Sequence, residues 1–274
     1  MNIDAHQHFW QYDPEKDAWI DETMQTIRRD FMPSDLQTVL ENNGMDGCVA
    51  VQASQSEEET LFLLECARQN PFIKAVVGWA DLQAENIKEV LARFSEDPGF
   101  RGVRHVVQGE PDDFMFRPAF RRGIAELEPQ GLTYDILVYA RQLPAAIDLV
   151  REFPAQRFVL DHIAKPVISA GPDKEWTENM RLLAQCDNVY CKLSGMVTET
   201  RNWKWQQDDF TPFLEIVTET FGTDRLMYGS DWPVCLLAAE YEKVLKIVRD
   251  FYSESELPKV MGQNAIRFYG IPEE

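Results

Sequence analysis

Short runs rich in β-branched and aromatic residues recur along the chain, each bounded by turn residues. They cover residues 2–8, 48–53, 74–81, 100–108, 132–139, 157–164, 189–195 and 225–234. Their starts fall about 32 residues apart, the length of a strand followed by a crossover helix. The stretches between them are amphipathic. Ser34-Asp35-Leu36-Gln37 and Ser56-Glu57-Glu58-Glu59 read as capping boxes, a hydroxyl followed three residues later by Gln or Glu. After the second box Leu61, Leu64 and Cys66 return at helical spacing. Gly44, Gly99, Gly131 and Gly222 fall just before strands, where a helix has to stop. Strict alternation of strand and helix predicts a parallel sheet, and eight units with no strand left over predict its closure. The expected architecture is α/β, a (β/α)8 TIM barrel forming a single domain over residues 1–274. An open doubly wound sheet is the weaker alternative, because no G-x-G-x-x-G follows the first strand.

Loop lengths locate a site before any motif is read. Connections entering strands are short, as at residues 70–72, 97–99 and 129–131, whereas those leaving strands are long, as at 9–32, 109–118, 165–177 and 196–209. Long loops of the second kind surround the C-terminal mouth of such a barrel, where its active sites lie.

Composition narrows the partners. The apolar fraction of 45% and the charged fraction of 27% are those of an ordinary folded protein. The formal charge of −19, from 46 acidic and 27 basic side chains, argues against nucleic acid or an anionic membrane as the main partner. The five cysteines include no C-x-x-C pair, so neither a disulfide framework nor a zinc-finger spacing is expected. Cys191, between Tyr190 and Lys192, is expected to face the helices. No apolar stretch approaches the roughly 18 residues of a spanning helix, and the first residues lack the basic-then-apolar run of a signal peptide. A soluble, cytoplasmic protein with reduced thiols is the expectation, with homo-oligomerisation left open.

The candidate chemistry concentrates at strand ends. The chain has only four histidines, His6, His8, His105 and His162, and all lie at or near the C-terminal ends of predicted strands. Alternation puts His6 and His8 on one face of strand 1, both directed into the mouth. Strand 6 delivers His162 from Asp161-His162-Ile163-Ala164-Lys165-Pro166, and strand 8 delivers Asp231 from Tyr228-Gly229-Ser230-Asp231-Trp232-Pro233. A lone histidine in a strand is usually a hydrogen-bonded structural residue, and His105 divides evenly between that reading and a functional one. Asp161 reads as a partner of the site, because His162 beside it takes the inward face. An H-x-H at one strand end with a distant His and Asp at two others reads as a site, since buried imidazoles and carboxylates are costly unless paired or coordinated.

Five segments carry a resemblance. Asp4-Ala5-His6-Gln7-His8-Phe9-Trp10, Gly102-Val103-Arg104-His105-Val106-Val107-Gln108, Asp161-His162-Ile163-Ala164-Lys165-Pro166, Lys192-Leu193-Ser194-Gly195 and Tyr228-Gly229-Ser230-Asp231-Trp232-Pro233 closely resemble the amidohydrolase-2 family. The nearest branch is that of sugar lactonases of the L-fucono- and L-rhamnono-lactone type. H-x-H alone is moderately specific; five motifs in order at the right strand ends are highly so. The resemblance implies a barrel that hydrolyses sugar-acid lactones, with the family's H-x-H at His6 and His8, its strand-6 histidine at His162 and its strand-8 aspartate at Asp231. Binuclear members of the wider superfamily carry a carboxylated lysine on strand 4 and a histidine on strand 5. Here strand 4 offers Arg104-His105 and strand 5 offers Asp135 and Tyr139, so a second metal is not expected. Ala164 stands where related lactonases often have glycine.

Lactone hydrolysis needs an activated water, a polarised carbonyl and a proton for the departing alkoxide. Asp231 is the expected general base, then acid. His6, His8 and His162 would polarise the carbonyl, as hydrogen-bond donors or, with Asp231, as ligands of one divalent ion, zinc first. The cofactor expectation is therefore none, or that single ion. Arg104, Gln52, Lys192 and Gln108 are candidates for holding the sugar hydroxyls, and Trp10, with Trp79, Trp203, Trp205 and Trp232, for stacking on its C–H face. Each tryptophan is as readily a packed rim residue. Arg104 is the strongest of these, since alternation points it inward if His105 faces the helices. The expected partner is a small sugar lactone. Two other readings compete: a metal-dependent decarboxylase of aromatic acids, and a sugar-binding barrel without catalysis, against which the intact quartet argues.

Overall fold

A computed structural model of the chain describes residues 1–272. Eight strands form one sheet: β1 (Ile3–Gln7), β2 (Gly47–Val51), β3 (Ile73–Gly78), β4 (Phe100–Val106), β5 (Thr133–Leu137), β6 (Phe158–Leu160), β7 (Val189–Leu193) and β8 (Leu226–Tyr228). Successive strands pair in parallel from β1 through β8. The main helices between them are α1 (Pro33–Asn42), α2 (Glu57–Gln69), α3 (Ile87–Phe94), α4 (Pro118–Ala125), α5 (Leu143–Glu152), α6 (Lys174–Ala184) and α7 (Thr211–Phe221). After β8 come α8 (Tyr241–Phe251) and α9 (Asn264–Tyr269). At the mouth β8 meets β1 through a parallel bridge between Gln7 and Trp232. There the Asp231 N–H donates to the His6 carbonyl at 2.8 Å and the His8 N–H to the Trp232 carbonyl at 2.7 Å. The barrel is thus laced at this seam by the backbone of residues that carry the candidate chemistry.

All eight expected strands are present, but two end early. β6 stops at Leu160 and β8 at Tyr228, because His162, Ile163, Ala164, Lys165 and Asp231 adopt left-handed backbone, with φ of 55°, 48°, 62°, 49° and 59°. A residue in that region cannot continue a strand. The capping box expected at Ser34 is displaced. Met32 is the cap, Pro33 opens α1, and the Asp35 carboxylate accepts the Met32 N–H at 2.8 Å. Proline suits the first helical position, since it has no N–H to leave unpaired. Ser56 does cap α2, its Oγ accepting from the Glu59 N–H at 3.1 Å. The Glu59 carboxylate, however, turns to the N–H groups of Ala53 and Ser54 instead of back to the cap.

Alternation divides the buried side chains between two layers. Outward-facing strand residues such as Phe100, Val103, Tyr134, Leu160 and Cys191 pack against the helices. Within the barrel, Ala5, Val49, Val51, Ala75, Val77, Val159 and Met227 fill the lower part, and α9 closes it from below with Ala265, Ile266, Phe268 and Tyr269. Above them lies a layer that is wholly polar and buried: Arg104 on β4, Asp135 on β5, Asp161 just past β6 and Lys192 on β7. Among the described residues no helix is long and apolar enough to cross a membrane.

Candidate active site

Strand β1 contains the irregularity that delivers its histidines. Asp4 pairs with Cys48 and Gln7 with Ala50, so three residues of β1 span two of β2. Such a bulge re-aims a side chain. Ala5 packs in the lower barrel layer, and His6, immediately after it, also turns inward, beside Lys192 and Asp161. Gln7 then faces outward onto the Cys48 thiol, and His8 returns to the mouth. Asp4 holds the bulge from outside, accepting from the N–H of His6 at 3.1 Å, the N–H of Ser230 at 2.9 Å and the Tyr241 hydroxyl at 3.0 Å. Burial pushes the Asp4 carboxyl up to about 6 against these hydrogen bonds.

The left-handed run after β6 does similar work. Asp161, the next inward position of the strand, enters the polar layer, and the reversal at His162 sends that imidazole into the mouth as well. Consecutive non-glycine residues in this region cost on the order of 1 kcal/mol each, the strain expected where function over-determines the backbone. Asp231 reaches the same space from the other side of the seam, with φ of 59°. Two glycines make room. A Cβ on Gly195 would stand 2.5 Å from Nδ1 of His162, and one on Gly229 would stand 2.6 Å from Cβ of His6.

The four predicted residues converge. Nε2 of His8 lies 3.3 Å from Oδ1 of Asp231, Nε2 of His6 lies 3.8 Å from it, and Nε2 of His162 lies 4.0 Å from it. Nδ1 of His8 is 2.7 Å from the Val51 carbonyl, which can only accept, so this nitrogen bears the proton and Nε2 of the neutral ring is bare. His6 has a cation at each nitrogen: Lys192 Nζ at 3.1 Å from Nδ1 and Arg104 Nη1 at 3.2 Å from Nε2. Burial, with the Lys192 charge acting in the same sense against Asp161, holds His6 well below its ordinary pKa. Burial also lowers His8, and His162 strongly. For Asp231 burial acts upward, but His162, His8 and Lys165 outweigh it and its pKa is lowered. At neutral pH the mouth therefore holds three neutral imidazoles and one carboxylate. Nδ1 of His162 backs onto the Ser194 hydroxyl at 2.8 Å.

Beneath lies the polar layer, two cations against two anions. Lys192 Nζ reaches Asp135 at 2.5 Å and Asp161 at 3.0 Å, and Arg104 Nη1 reaches Asp161 at 3.2 Å. Arg104 also donates through Nη2 to the Gln52 carbonyl. Burial works against the Asp161 charge, but Lys192, His6 and Arg104 keep its pKa well below the usual range.

A cavity of about 590 Å³ opens above the quartet. Of the predicted residues, His8, Arg104, Gln108, His162, Asp231 and Trp203 line it. His6 does not line it but lies buried beneath, in contact with His8 and Arg104. Three predicted substrate contacts are corrected. Lys192 does point inward, but one layer too deep, where it is 0% exposed; Gln52 is also 0% exposed and donates to the Arg104 carbonyl at 3.3 Å. Trp10 lies off this cavity, packed on Phe31, with its indole N–H on the Arg29 carbonyl. Trp79, Trp205 and Trp232 are likewise packing residues, bonded to His105, bonded to the Ala238 carbonyl, and packed edge-to-face against Phe31, respectively. His105 faces the helices, stacked on Phe114 and bound to Glu110 at 3.1 Å, and does not line the cavity. Trp19, Lys16, Tyr139, Lys165 and Glu199 line the cavity without having been singled out. Trp19 is 43% exposed, and Lys165 pairs with Glu199 at 3.3 Å. The long loops that supply Trp19 and Glu199 were the available signal.

The donor set suits one divalent ion. His6, His8 and Asp231 offer ligand atoms within 4.8 Å of one another, and His6, Asp161 and His162 form a second such group. The four ligands expected to share one ion thus divide, His162 standing with the second group. Two neutral imidazoles and a carboxylate are zinc chemistry, and the bare Nε2 of His8 has no proton to satisfy it from Asp231.

A family model described as an amidohydrolase matches residues 3–271. The L-fucono-1,5-lactonase of Burkholderia ambifaria is 38% identical over 282 residues, which cover 99% of this chain and 96% of the relative. A crystal structure of an amidohydrolase from Burkholderia multivorans with bound Zn shares 37% identity and a TM-score of 0.94, covering 99% of this chain and 100% of that one. An amidohydrolase structure from the same species with bound HEPES, at the same identity and coverage, gives 0.95. With the match running through all eight strands, the chain belongs to the amidohydrolase family and is a hydrolase.

Proposed function

We propose that the protein opens the lactone ring of a sugar acid to the free aldonate, with L-fucono-1,5-lactone as the first substrate to test. The observation that carries this reading is the 38% identity, over nearly the full length of both chains, to an L-fucono-1,5-lactonase. The mouth supports it chemically, with one ionised carboxylate among neutral imidazoles beside an arginine.

In this mechanism a water held against Asp231 attacks the lactone carbonyl carbon while its proton passes to the carboxylate. Charge developing on the carbonyl oxygen is met by Arg104, and by Nε2–H of His162 when its Nδ1 accepts the Ser194 hydroxyl. Collapse of the adduct breaks the bond to the ring oxygen, which takes the proton back from Asp231. The new acid then ionises and releases a proton to solution. His6 is unsuited to be the base, since an imidazolium there would face Lys192 and Arg104. A divalent ion held by His6, His8 and Asp231 would polarise the carbonyl oxygen and lower the pKa of a bound water. Trp19, Trp203 and Tyr139 offer surfaces for the sugar C–H face, and Gln108, Lys165 and Glu199 partners for its hydroxyls.

The test is a pH-indicator screen of aldonolactones, run with and without a chelator. Acid release from L-fucono-1,5-lactone is the expected result, and the chelator arm reads whether turnover needs metal. No release from any aldonolactone would overturn the proposal, and loss of CO2 from aromatic acids would replace it.

A further inference from the structure

The helix that seals the bottom of the barrel reaches the floor of the site. Tyr269, on α9, is buried among Ala265, Ile266 and Phe268, where an aromatic ring alone would complete the seal. Its hydroxyl donates instead to Oδ2 of Asp135 at 2.9 Å. The same oxygen accepts from Lys192 at 2.5 Å. Lys192 has three N–H donors, and three groups surround it: Asp135, Asp161 Oδ1 at 3.0 Å and Nδ1 of His6 at 3.1 Å, an acceptor in the metal-free ring that carries its proton on Nε2. The ammonium is hydrogen-bonded to Asp135 and His6 and ion-paired with Asp161, whose Oδ1 makes no hydrogen bond, so its place follows the balance between the two carboxylates. The Tyr269 hydroxyl shares the charge of one of them. Without it Asp135 draws Lys192 more strongly, and the contact with His6 weakens.

We infer that Tyr269 is a positioning residue: through Asp135 and Lys192 it sets the orientation of His6 from the opposite end of the barrel. A hydrogen-bonded chain in a buried, low-dielectric interior transmits such a change because none of its members can turn to water instead. The kinetic consequence rests on the lactonase reading; the structural consequence does not.

The experiment compares wild type with Tyr269→Phe, which keeps the ring and removes the hydroxyl, and with Asp135→Asn, one link nearer the site. Phe268→Leu serves as the packing control, since the Phe268 ring packs on Tyr190 with centroids 5.0 Å apart and meets the Tyr269 ring edge-on at 4.8 Å, so the variant loosens the seal while leaving the Tyr269 hydroxyl in place. With only four histidines in the protein, ring-nitrogen NMR of histidine-labelled protein resolves each one. In Tyr269→Phe the His6 nitrogens should shift while those of His105 stay in place. kcat should fall about tenfold, the low end of what losing an outer partner of a site histidine costs, with KM held within about twofold. Phe268→Leu should lower thermal stability without moving the His6 signals. His6 signals unchanged in both Tyr269→Phe and Asp135→Asn would overturn the inference, as would a kcat loss no greater than that of Phe268→Leu. If the wild type opens no lactone, the functional reading falls, and the His6 signals still decide the positioning claim.

Discussion

Nε2 of His8 faces Oδ1 of Asp231 across 3.3 Å, while the other nitrogen of the ring donates a hydrogen bond to the Val51 carbonyl at 2.7 Å. A bare nitrogen and a carboxylate in that relation repel unless the ring is protonated or a cation joins them. Burial opposes protonation of His8. Metal analysis after equilibration with zinc should therefore find one ion per chain, weakened in both His8→Asn and Asp231→Asn. Two ions at full occupancy, roughly 3.5–4 Å apart, would contradict the site described here, because β4 supplies the Arg104 guanidinium where a second ion needs a neutral or anionic donor and the Lys192 ammonium already holds Asp135 of β5.

Gly195 supports His162 by having no side chain. Its φ is +62°, and a Cβ would come within 2.5 Å of Nδ1 and 2.7 Å of Cγ of the imidazole. Gly195→Ala should lose about 1–3 kcal/mol of stability from backbone strain and crowding together. The folded variant should also lose at least tenfold in kcat, because the ring it displaces borders Asp231. A folded Gly195→Ala enzyme with wild-type kcat would show that the position of His162 is immaterial to turnover.

Glu59 gives the fold a pH signature outside the quartet. Burial raises its pKa from 4.5 to about 7, against two hydrogen bonds from the Ser54 and Ala53 N–H groups and the charge of Arg104. The folded protein thus favours the protonated carboxyl, so its contribution is fully present below pH 4.5 and lost as pH rises through 7. Between about pH 5 and pH 8 the wild type should lose more stability than Glu59→Gln, by on the order of 2 kcal/mol. Chemical denaturation at the two pH values measures the difference, and parallel losses would refute it.

Residue type and order were enough to place the eight strands and to single out His6, His8, His162 and Asp231. What they could not supply is backbone detail that no local residue choice announces. The slip between Asp4 and Gln7 lets Ala5 and His6 both turn inward, against strict alternation. Four successive left-handed residues bring Asp161 and His162 into the barrel together, so Asp161 became part of the buried layer and not a partner on the outer face. Depth along a strand was equally hidden. Lys192 points inward as alternation requires, but strand stagger sinks it below the cavity, whereas Arg104 spans both levels. Between Trp10 and Trp19 the choice belongs to loop packing: the bridge of Trp10 to Phe31 turns one ring into the core and leaves the other at the rim.

Asp231→Asn tests most directly whether Asp231 activates the attacking water. The amide preserves shape and cannot accept a proton, while the Asp231 N–H that helps lace the barrel seam is untouched. The measurement is kcat on L-fucono-1,5-lactone, or on whichever aldonolactone the wild type opens fastest, with folding checked by circular dichroism. A loss of roughly 10²–10⁴-fold at unchanged fold is predicted. A variant turning over within about tenfold of wild type would contradict the assignment and move the search for the base to His162.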